Sequence, residues 1–421
     1  MKSLFLTTLL FIMGPASALP PAPNDAPPAE QVFINANIHV GNGQVLENAQ
    51  FAIADGKITR AGYYKIAYTG DEIDLQGQHI YPGFILTATN LGLTEVDSFK
   101  ATLDFNETGQ LNPNVRSLIA YNTDSERIPA MRYNGILLAQ TTPSGGLVSG
   151  TSSVVQLDAW NWEDAVVAAD NGLHVNWPAE WAKRFDWSTF SMQLQEDKKY
   201  AEKISQIKQL FEEARVDQSQ TNMKLNAVKP VFSGDKTVYI HSNSPKAIIE
   251  SIQYFQSLGI DQPVLVTNQA AEQVLSFIAQ SGVSVILTAV HTLPHQSDSS
   301  IDAAYALPAK LQKAGILTAL SYPGSMSSRN LSFTAGTTVA YGNSATDALQ
   351  MITLNPAKIL GIDGQYGSLE VGKSATFFIS QGDALDMRSN RIAAAYIDGR
   401  EIVLDGRQQA LYERFKQKLK Q

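Results

Sequence analysis

Histidines are the first residues to consider, because few other side chains in this chain could carry metal or acid–base chemistry. The 421-residue sequence contains six histidines and no cysteine. The absence of cysteine removes disulfides, thiolate zinc sites, iron–sulfur clusters and a cysteine nucleophile. His291 and His295 are four residues apart, but Pro294 breaks any helix that would align two imidazoles on one ion. We therefore expect this pair to pack in a loop, and any metal must bind through His, Asp, Glu or Lys.

Carboxylates form a second group of candidates. Asp124 and Glu126 lie in a polar run that ends at Arg127, and such a cluster could hold a hard cation or act as acid and base. No histidine is near them in sequence, so a solvated loop surface is the simpler interpretation. Arg329, in another polar loop, offers a cation to a substrate carboxylate, although a structural use is equally well supported.

The net charge narrows the range of partners. Lys and Arg total 32 against 40 Asp and Glu, a formal charge of -8 with a pI near 5.3. A nucleic acid is therefore an unsuitable partner, because binding to phosphates needs a broad basic surface. We expect the partner to be a small-molecule substrate or ligand. The sequence leaves open whether the chain also forms a homo-oligomer or a complex with a paralogue.

The first 30 residues have the pattern of an export signal. Lys2 precedes an apolar run from Leu4 to Met13, and Ala16-Ser17-Ala18 follows Gly14-Pro15, so we expect a signal peptide over residues 1–18. The apolar run is too short for a membrane anchor. Residues 19–30 are rich in proline and indicate an extended linker. The sequence thus predicts a periplasmic or secreted protein without a membrane anchor.

The elements that must position the candidate residues follow from hydrophobic patterning. Short alternating runs separated by Asp-Gly and Gly-Asn-Gly turns predict β structure over residues 31–80 and 362–407. Between them, buried strand-like runs such as Ser153–Leu157 and Val264–Thr267 alternate with helical stretches, which is typical of parallel strands in a barrel. The sequence therefore predicts an α/β protein with a (β/α)8 TIM-like barrel over residues 81–361. A small β-sandwich domain is built from the N- and C-terminal segments, and a C-terminal helix covers residues 408–421.

Several short motifs, in order along the chain, carry a family resemblance. They are Asp55-Gly56-Lys57-Ile58, Tyr81-Pro82-Gly83-Phe84-Ile85, Asn355-Pro356-Ala357-Lys358, Gly367-Ser368-Leu369-Glu370-Val371-Gly372-Lys373 and Ile397-Asp398-Gly399-Arg400. Together they resemble the amidohydrolase superfamily, especially its imidazolonepropionase-like and dihydroorotase-like branches. The resemblance implies one or two divalent metals that activate water to attack an amide or ester-like carbon.

The metal ligands implied by this resemblance are mostly missing. The family's first strand ends in His-x-His, where this sequence has Ala88 and Asn90. The fifth-strand histidine matches His241. The sixth-strand histidine should fall near Val266 to Asn268, where the sequence has none, and Ser321 or Tyr322 replaces the eighth-strand aspartate. His241 is therefore the one ligand that the resemblance assigns, and it makes no complete site. We expect no cofactor, with zinc admitted only if further ligands exist.

Two functions remain open. One is a secreted hydrolase of carbon–nitrogen bonds other than peptide bonds, with an unknown substrate. The other is a metal-free pseudoenzyme that binds a small molecule or pairs with a metal-competent paralogue. A serine or carboxylate hydrolase without metal is weaker, since no adequate triad is present. The candidate cleft residues are Asn90, Asp124, Glu126, His241, Ser321 and Arg329.

Overall fold

The structure is a computed structural model that describes residues 23–24, 30–63, 71–288, 290–295, 298–322, 324 and 326–420. The predicted signal peptide and most of the predicted linker lie outside the described residues. Within the described part of the chain, no helix has both the length and the apolar character needed to cross a bilayer.

The described residues form eighteen strands and twelve α-helices. The strands are β1 Glu30–His39, β2 Val45–Ala54, β3 Lys57–Gly62, β4 Asp71–Asp74, β5 His79–Pro82, β6 Phe84–Thr89, β7 Ile136–Thr141, β8 Val148–Gln156, β9 Val166–Asn176, β10 Trp181–Asp186, β11 Ser191–Glu196, β12 Thr237–His241, β13 Val264–Thr267, β14 Ser284–Leu287, β15 Thr318–Leu320, β16 Phe377–Ser380, β17 Ile392–Ile397 and β18 Arg400–Glu401. The helices are α1 Ile128–Arg132, α2 Trp162–Ala165, α3 Tyr200–Val216, α4 Met223–Val228, α5 Pro230–Ser233, α6 Pro245–Ser257, α7 Leu275–Ser281, α8 Ala303–Lys313, α9 Leu331–Ala340, α10 Ala345–Gln350, α11 Leu354–Leu360 and α12 Arg407–Leu419.

Both ends of the chain contribute to one β-sheet. Its strand order is β18-β17-β16-β5-β1-β2-β3, with β4 parallel to β1, and the two chain segments meet where β16 pairs with β5. Aromatic side chains fill its core: the Phe51 and Phe377 rings are 5.0 Å apart, and Tyr396 stacks on Phe377 at 4.6 Å. The predicted pairing of N- and C-terminal β segments is thereby confirmed.

The second sheet is the barrel. Its eight strands follow the order β6-β7-β8-β9-β12-β13-β14-β15. The last strand closes onto the first through the Ser321 hydroxyl, which donates to the Thr87 carbonyl oxygen at 2.5 Å. Apolar side chains from alternate strand positions fill the interior as the barrel fold requires; they include Ile85, Leu138, Val154, Tyr239, Val266, Ile286 and Ala319. The predicted α/β barrel is confirmed.

One barrel strand runs in the opposite direction to the prediction. The apolar run Ser153–Leu157 was expected to be a parallel strand, but β8 pairs antiparallel with both β7 and β9. Only residues 142–147 connect β7 to β8, and a parallel crossover needs a dozen or more residues. The short connection therefore imposes a hairpin at this point of the barrel.

A buried carboxylate joins the barrel to the β domain. Asp158, directly after β8, accepts a hydrogen bond from the Arg132 guanidinium of α1 and forms an ion pair with Arg400 of β18. The side chains of Asp158 and Arg132 are 2% and 3% exposed. Since Asp158 is the shared partner, its removal would leave two cations without a counter-charge, one of them fully buried.

We therefore expect Asp158→Ala to lower the free energy of unfolding by about 3–5 kcal/mol, the typical cost of breaking a buried ion pair. The matched control is Glu126→Ala, which removes the exposed Glu126–Arg407 pair and should change stability by about 1 kcal/mol or less. Urea unfolding of both variants measures the difference. Equal effects would show that Asp158 does not hold the two domains together.

Candidate functional site

The carboxyl ends of the barrel strands bring several of the residues considered above to one end of the barrel. His174 and Asn176 lie near the end of β9, His241 ends β12, and Asn268 and Ser321 directly follow β13 and β15. This end of a (β/α)8 barrel is where the fold carries its chemistry. The site is therefore defined by what these side chains contact.

Two imidazoles form the centre of the site. The Nδ1 atom of His174 and the Nε2 atom of His241 are 2.8 Å apart, at hydrogen-bond distance. His174 has no exposed surface, and its ring stacks on Tyr239 with 4.8 Å between centroids and 7° between planes. Gly172 permits this packing, because a Cβ atom there would lie 2.6 Å from the Tyr239 ring. The His174 ring is thus fixed between β9 and β12.

Burial keeps both imidazoles neutral. Desolvation lowers the pKa of the His241 ring to about 4, and burial together with repulsion from His241 lowers the pKa of His174 well below its ordinary range. Two neutral imidazoles can share one proton in a hydrogen bond, with one nitrogen donating and the other accepting. Whichever ring donates, neither bonded nitrogen has a free lone pair for a metal.

The end of the first strand does not have the regular alternation that a His-x-His pair requires. Ala88 has φ +47°, and the pairing of β6 with β7 shifts register between Leu86 and Thr89. The Ala88 N–H donates to the Gln140 side-chain oxygen at 3.1 Å. Asn90 lies outside β6 and is half-buried. Positions 88 and 90 therefore belong to a turned strand end and not to two successive inward-facing positions.

The residues that replace the other two ligands have structural contacts. The Asn268 side-chain oxygen accepts from the Ala270 N–H at 3.0 Å, which caps the turn after β13. The Ser321 hydroxyl is occupied by Thr87 at the barrel seam. Neither residue supplies the imidazole or carboxylate that zinc prefers.

A divalent metal does not fit this donor set. Across the described residues, no group of three or more His, Asp or Glu side chains lies close enough to hold an ion. The two histidines that do meet use the facing nitrogens to bind each other. Tight zinc sites need three or four protein ligands, so the residues at the strand ends cannot supply one.

The remaining sequence candidates lie apart from the histidine pair. Asp124 is exposed, with its backbone N–H bound by the Asn122 side chain. Glu126 forms an ion pair with Arg407 at 2.9 Å. Arg329 is exposed in the turn before α9. No hydrogen bond or ion pair in the described part of the chain joins these three to His241, and a role for them in binding stays a prediction.

Sequence reasoning did not identify His174 as a partner of His241. The alternation Leu173-His174-Val175-Asn176 was a strand signal, since Leu173 and Val175 are fully buried in the outer core while His174 points into the barrel. The preceding residues 166–172 have no clear period, so the sequence alone does not define the strand that carries His174. The hairpin β10–β11 was also missed.

A cleft opens beside the strand ends. It has a volume of about 460 Å³ and is lined by residues that follow β12, β13 and β14, among them Asn243, Gln269 and His295, and by Leu194 of β11. The Gln269 side chain is fixed, since it accepts from the His295 N–H at 3.0 Å and donates to the Leu293 carbonyl at 2.9 Å. Lys310 and Glu272 form an ion pair on the same wall. The cleft has a mixed polar and apolar lining, and the Gln269 side chain in its wall is held in place before any ligand arrives.

The fold and site define the class of protein. The sequence profile of the amidohydrolase family matches residues 185–402, and the chain belongs to that family. The predicted resemblance is confirmed. No curated protein matches the chain in sequence.

Solved structures show the same fold. An amidohydrolase from Thermotoga maritima superposes with a TM-score of 0.77 at 22% identity, covering 89% of this chain and 99% of its own. A prolidase complexed with N-methylphosphonate-L-proline gives 0.55 at 14% identity, covering 89% and 99%. An adenosine deaminase from Xanthomonas campestris with bound zinc gives 0.53 at 15% identity, covering 93% and 98%. These similarities concern the fold.

The lowered histidine pKa values predict a loss of stability in acid. Imidazoles of the unfolded chain bind protons near pH 6.5, whereas His241 in the folded protein does so only near pH 4. The contribution of His241 to the free energy of unfolding is therefore fully present above pH 6.5, and it is lost as the pH drops from 6.5 toward 4. The loss amounts to at most about 1.4 kcal/mol per pH unit for each such histidine.

Urea unfolding between pH 7.5 and 4.5 tests this expectation. His241→Gln should flatten the dependence of the unfolding free energy on pH, because one buried titrating group is removed. The matched control is His295→Gln at an exposed position, which should leave the slope as in the parent protein. A slope that His241→Gln leaves unchanged would contradict the buried neutral pair.

Proposed function

We propose that this protein is a non-hydrolytic member of the amidohydrolase family that binds a small polar molecule at the carboxyl end of its barrel. The observation that supports this most directly is the hydrogen bond between His174 and His241. It uses one ring nitrogen of each imidazole, Nδ1 of His174 and Nε2 of His241. Export, as the pattern of residues 1–18 indicates, is part of the proposal.

Hydrolysis through a metal needs ligands, an activated water and a group that accepts its proton. Of the family's ligand positions, only the fifth-strand position keeps its histidine, His241, and the others are held here by Ala88, Asn90, Asn268 and Ser321. None of these replacements is a carboxylate or an imidazole. A general base is therefore missing along with the ligands, and no step of the family's reaction can be assigned to these residues.

The cleft indicates the class of ligand. Its wall combines the amide of Asn243, the amide of Gln269 and the Lys310–Glu272 pair with the apolar Leu194. Amides offer both a donor and an acceptor, and Lys310, although paired with Glu272, has further N–H groups that can donate to a ligand carboxylate. A ligand with an amide and a carboxylate on a small apolar body suits this wall, which is the pattern of an N-acyl amino acid or a dipeptide.

Hydrolysis of carbon–nitrogen bonds is the competing function. It is favoured by the fold shared with a prolidase and an adenosine deaminase. Fold alone is weak support, since one fold hosts many activities and many binding functions. The metal content of the purified protein distinguishes the two functions.

Metal analysis should find well below one zinc, nickel or manganese per chain after incubation with zinc and dialysis against a weak chelator. The reason is that two imidazoles bonded to each other supply too few free ligand atoms. Elemental analysis by mass spectrometry measures it, with His241→Ala as the matched variant. Stoichiometric zinc in the parent that is lost in His241→Ala would support the hydrolase instead.

Ligand binding forms a separate test. A panel of N-acyl amino acids, dipeptides and cyclic amides should contain compounds that raise the Tm of the protein in proportion to concentration, without being hydrolysed. Asn243→Ala should weaken that binding on the order of tenfold, the equivalent of one hydrogen bond, while Gln408→Ala on α12 should not. Turnover of a bound compound, or binding that Asn243→Ala leaves intact, would argue against the cleft as a binding site.

A further inference from the structure

The C-terminal helix α12 is an element that the barrel and the β domain leave uncovered. None of the residues between Arg407 and Leu419 is buried. Its large apolar side chains are much more exposed than those of a helix in a protein core. Leu411 is 39% exposed, Tyr412 63%, Phe415 56% and Leu419 86%. A 13-residue helix without a buried residue gains little stability from tertiary packing, so its apolar residues need another explanation.

These apolar residues share one side of the helix. At about 100° per residue, Leu411, Phe415, Leu419 and Tyr412 fall within an arc of roughly 100°. Basic residues border that arc on both sides. Arg407, Arg414 and Lys418 lie along one border and Lys416 and Lys420 along the other. An apolar stripe between two basic borders is the pattern of a helix that lies in the plane of a membrane surface.

The charge of the helix is opposite to that of the protein. The whole chain carries a net charge of -8, whereas residues 407–420 contain five Lys or Arg and one acidic residue, Glu413. An acidic protein is repelled by an anionic surface except where a cationic segment faces it. The distribution of charge therefore selects α12 as the point of contact with an anionic partner.

We propose that α12 binds the surface of an anionic lipid bilayer. Tyr412, Phe415 and Leu419 enter the boundary between headgroups and acyl chains, and the basic side chains extend outward to the phosphates. Each Lys or Arg near such a surface strengthens binding on the order of fivefold. The chain is thereby held at the membrane by its last helix, while the barrel stays in solution.

A second copy of the chain suits this helix less well. An isologous contact would place two cationic helices against each other, and like charges at an interface oppose association. A bilayer instead offers both an apolar layer and anionic headgroups to the same helix. A dimer formed through α12 is nevertheless one of the outcomes that the experiment can reveal.

Cosedimentation of the purified full chain with vesicles tests the proposal. Vesicles of phosphatidylcholine and phosphatidylglycerol in a 7:3 ratio should bind the protein at about 0.1 M salt. Phosphatidylcholine alone, or the mixed vesicles at 0.5 M salt, should bind it at least about tenfold more weakly, because screening and loss of the anionic lipid remove the attraction. Equal binding to both lipid compositions, or no binding to either, would overturn the proposal.

Variants locate the contact on the protein. Phe415→Ser should weaken vesicle binding by about tenfold or more, and Arg414→Gln with Lys418→Gln by on the order of 20-fold. The matched control is Phe190→Ser, which removes an aromatic side chain that is even more exposed, at 76%, from the hairpin β10–β11, and it should leave binding unchanged. Since α12 contributes no buried residue, all variants should keep the parent Tm.

If Phe190→Ser weakened binding as much as Phe415→Ser, the membrane contact would lie on the hairpin and not on α12. A dimer in vesicle-free solution that dissociates in Phe415→Ser would show that the apolar stripe contacts protein.

Discussion

The interior of a barrel must be filled by side chains, and near the ends of its strands this barrel is filled by two imidazoles bonded to each other. His174 cannot move toward another partner without losing its stacking on Tyr239, and the Tyr239 ring fits only because Gly172 has no side chain. The Tyr239 hydroxyl in turn donates to the Ile359 carbonyl oxygen of α11 at 3.4 Å. The histidine pair is thus part of the packing of two strands and a helix.

This packing explains why the missing metal ligands are not simply vacant positions. Gln140 accepts from the Ala88 N–H and donates to the Ser152 hydroxyl, both at 3.1 Å, and Ser321 closes the barrel seam. A buried polar group without a partner costs free energy, and each of these groups has found a partner within the protein. An arriving ion would have to break these bonds, so the donor set and the packing oppose a metal for the same reason.

The sequence allowed the fold to be predicted where local patterns are strong. The run Val264–Thr267 was predicted with its observed bounds, and the β segments at both chain ends were recognised from their turns. The direction of β8 was missed although the six residues before it already excluded a crossover. The contact of His174 with His241 joins positions 67 residues apart, and no local pattern encodes such a pairing. The hairpin β10–β11 was missed for another reason. Phe185, Met192 and Leu194 are exposed, so these strands lack the alternation of buried and exposed positions from which a strand is predicted.

The site in the barrel and the helix α12 depend on different physical effects. The histidine pair is governed by desolvation, since His174 has no exposed surface, and salt has little effect on a hydrogen bond between two neutral rings. The helix is governed by exposed charges, and its visible links to the body of the protein are an exposed ion pair from Arg407 to Glu126 and the packing of Gly406 against Pro129. Asp158 holds the β domain to the barrel through Arg132 and Arg400, and both arginines precede α12 in sequence. Since none of the residues of α12 is buried in the described part of the chain, the helix can change its surroundings while the strands that form the cleft keep their positions.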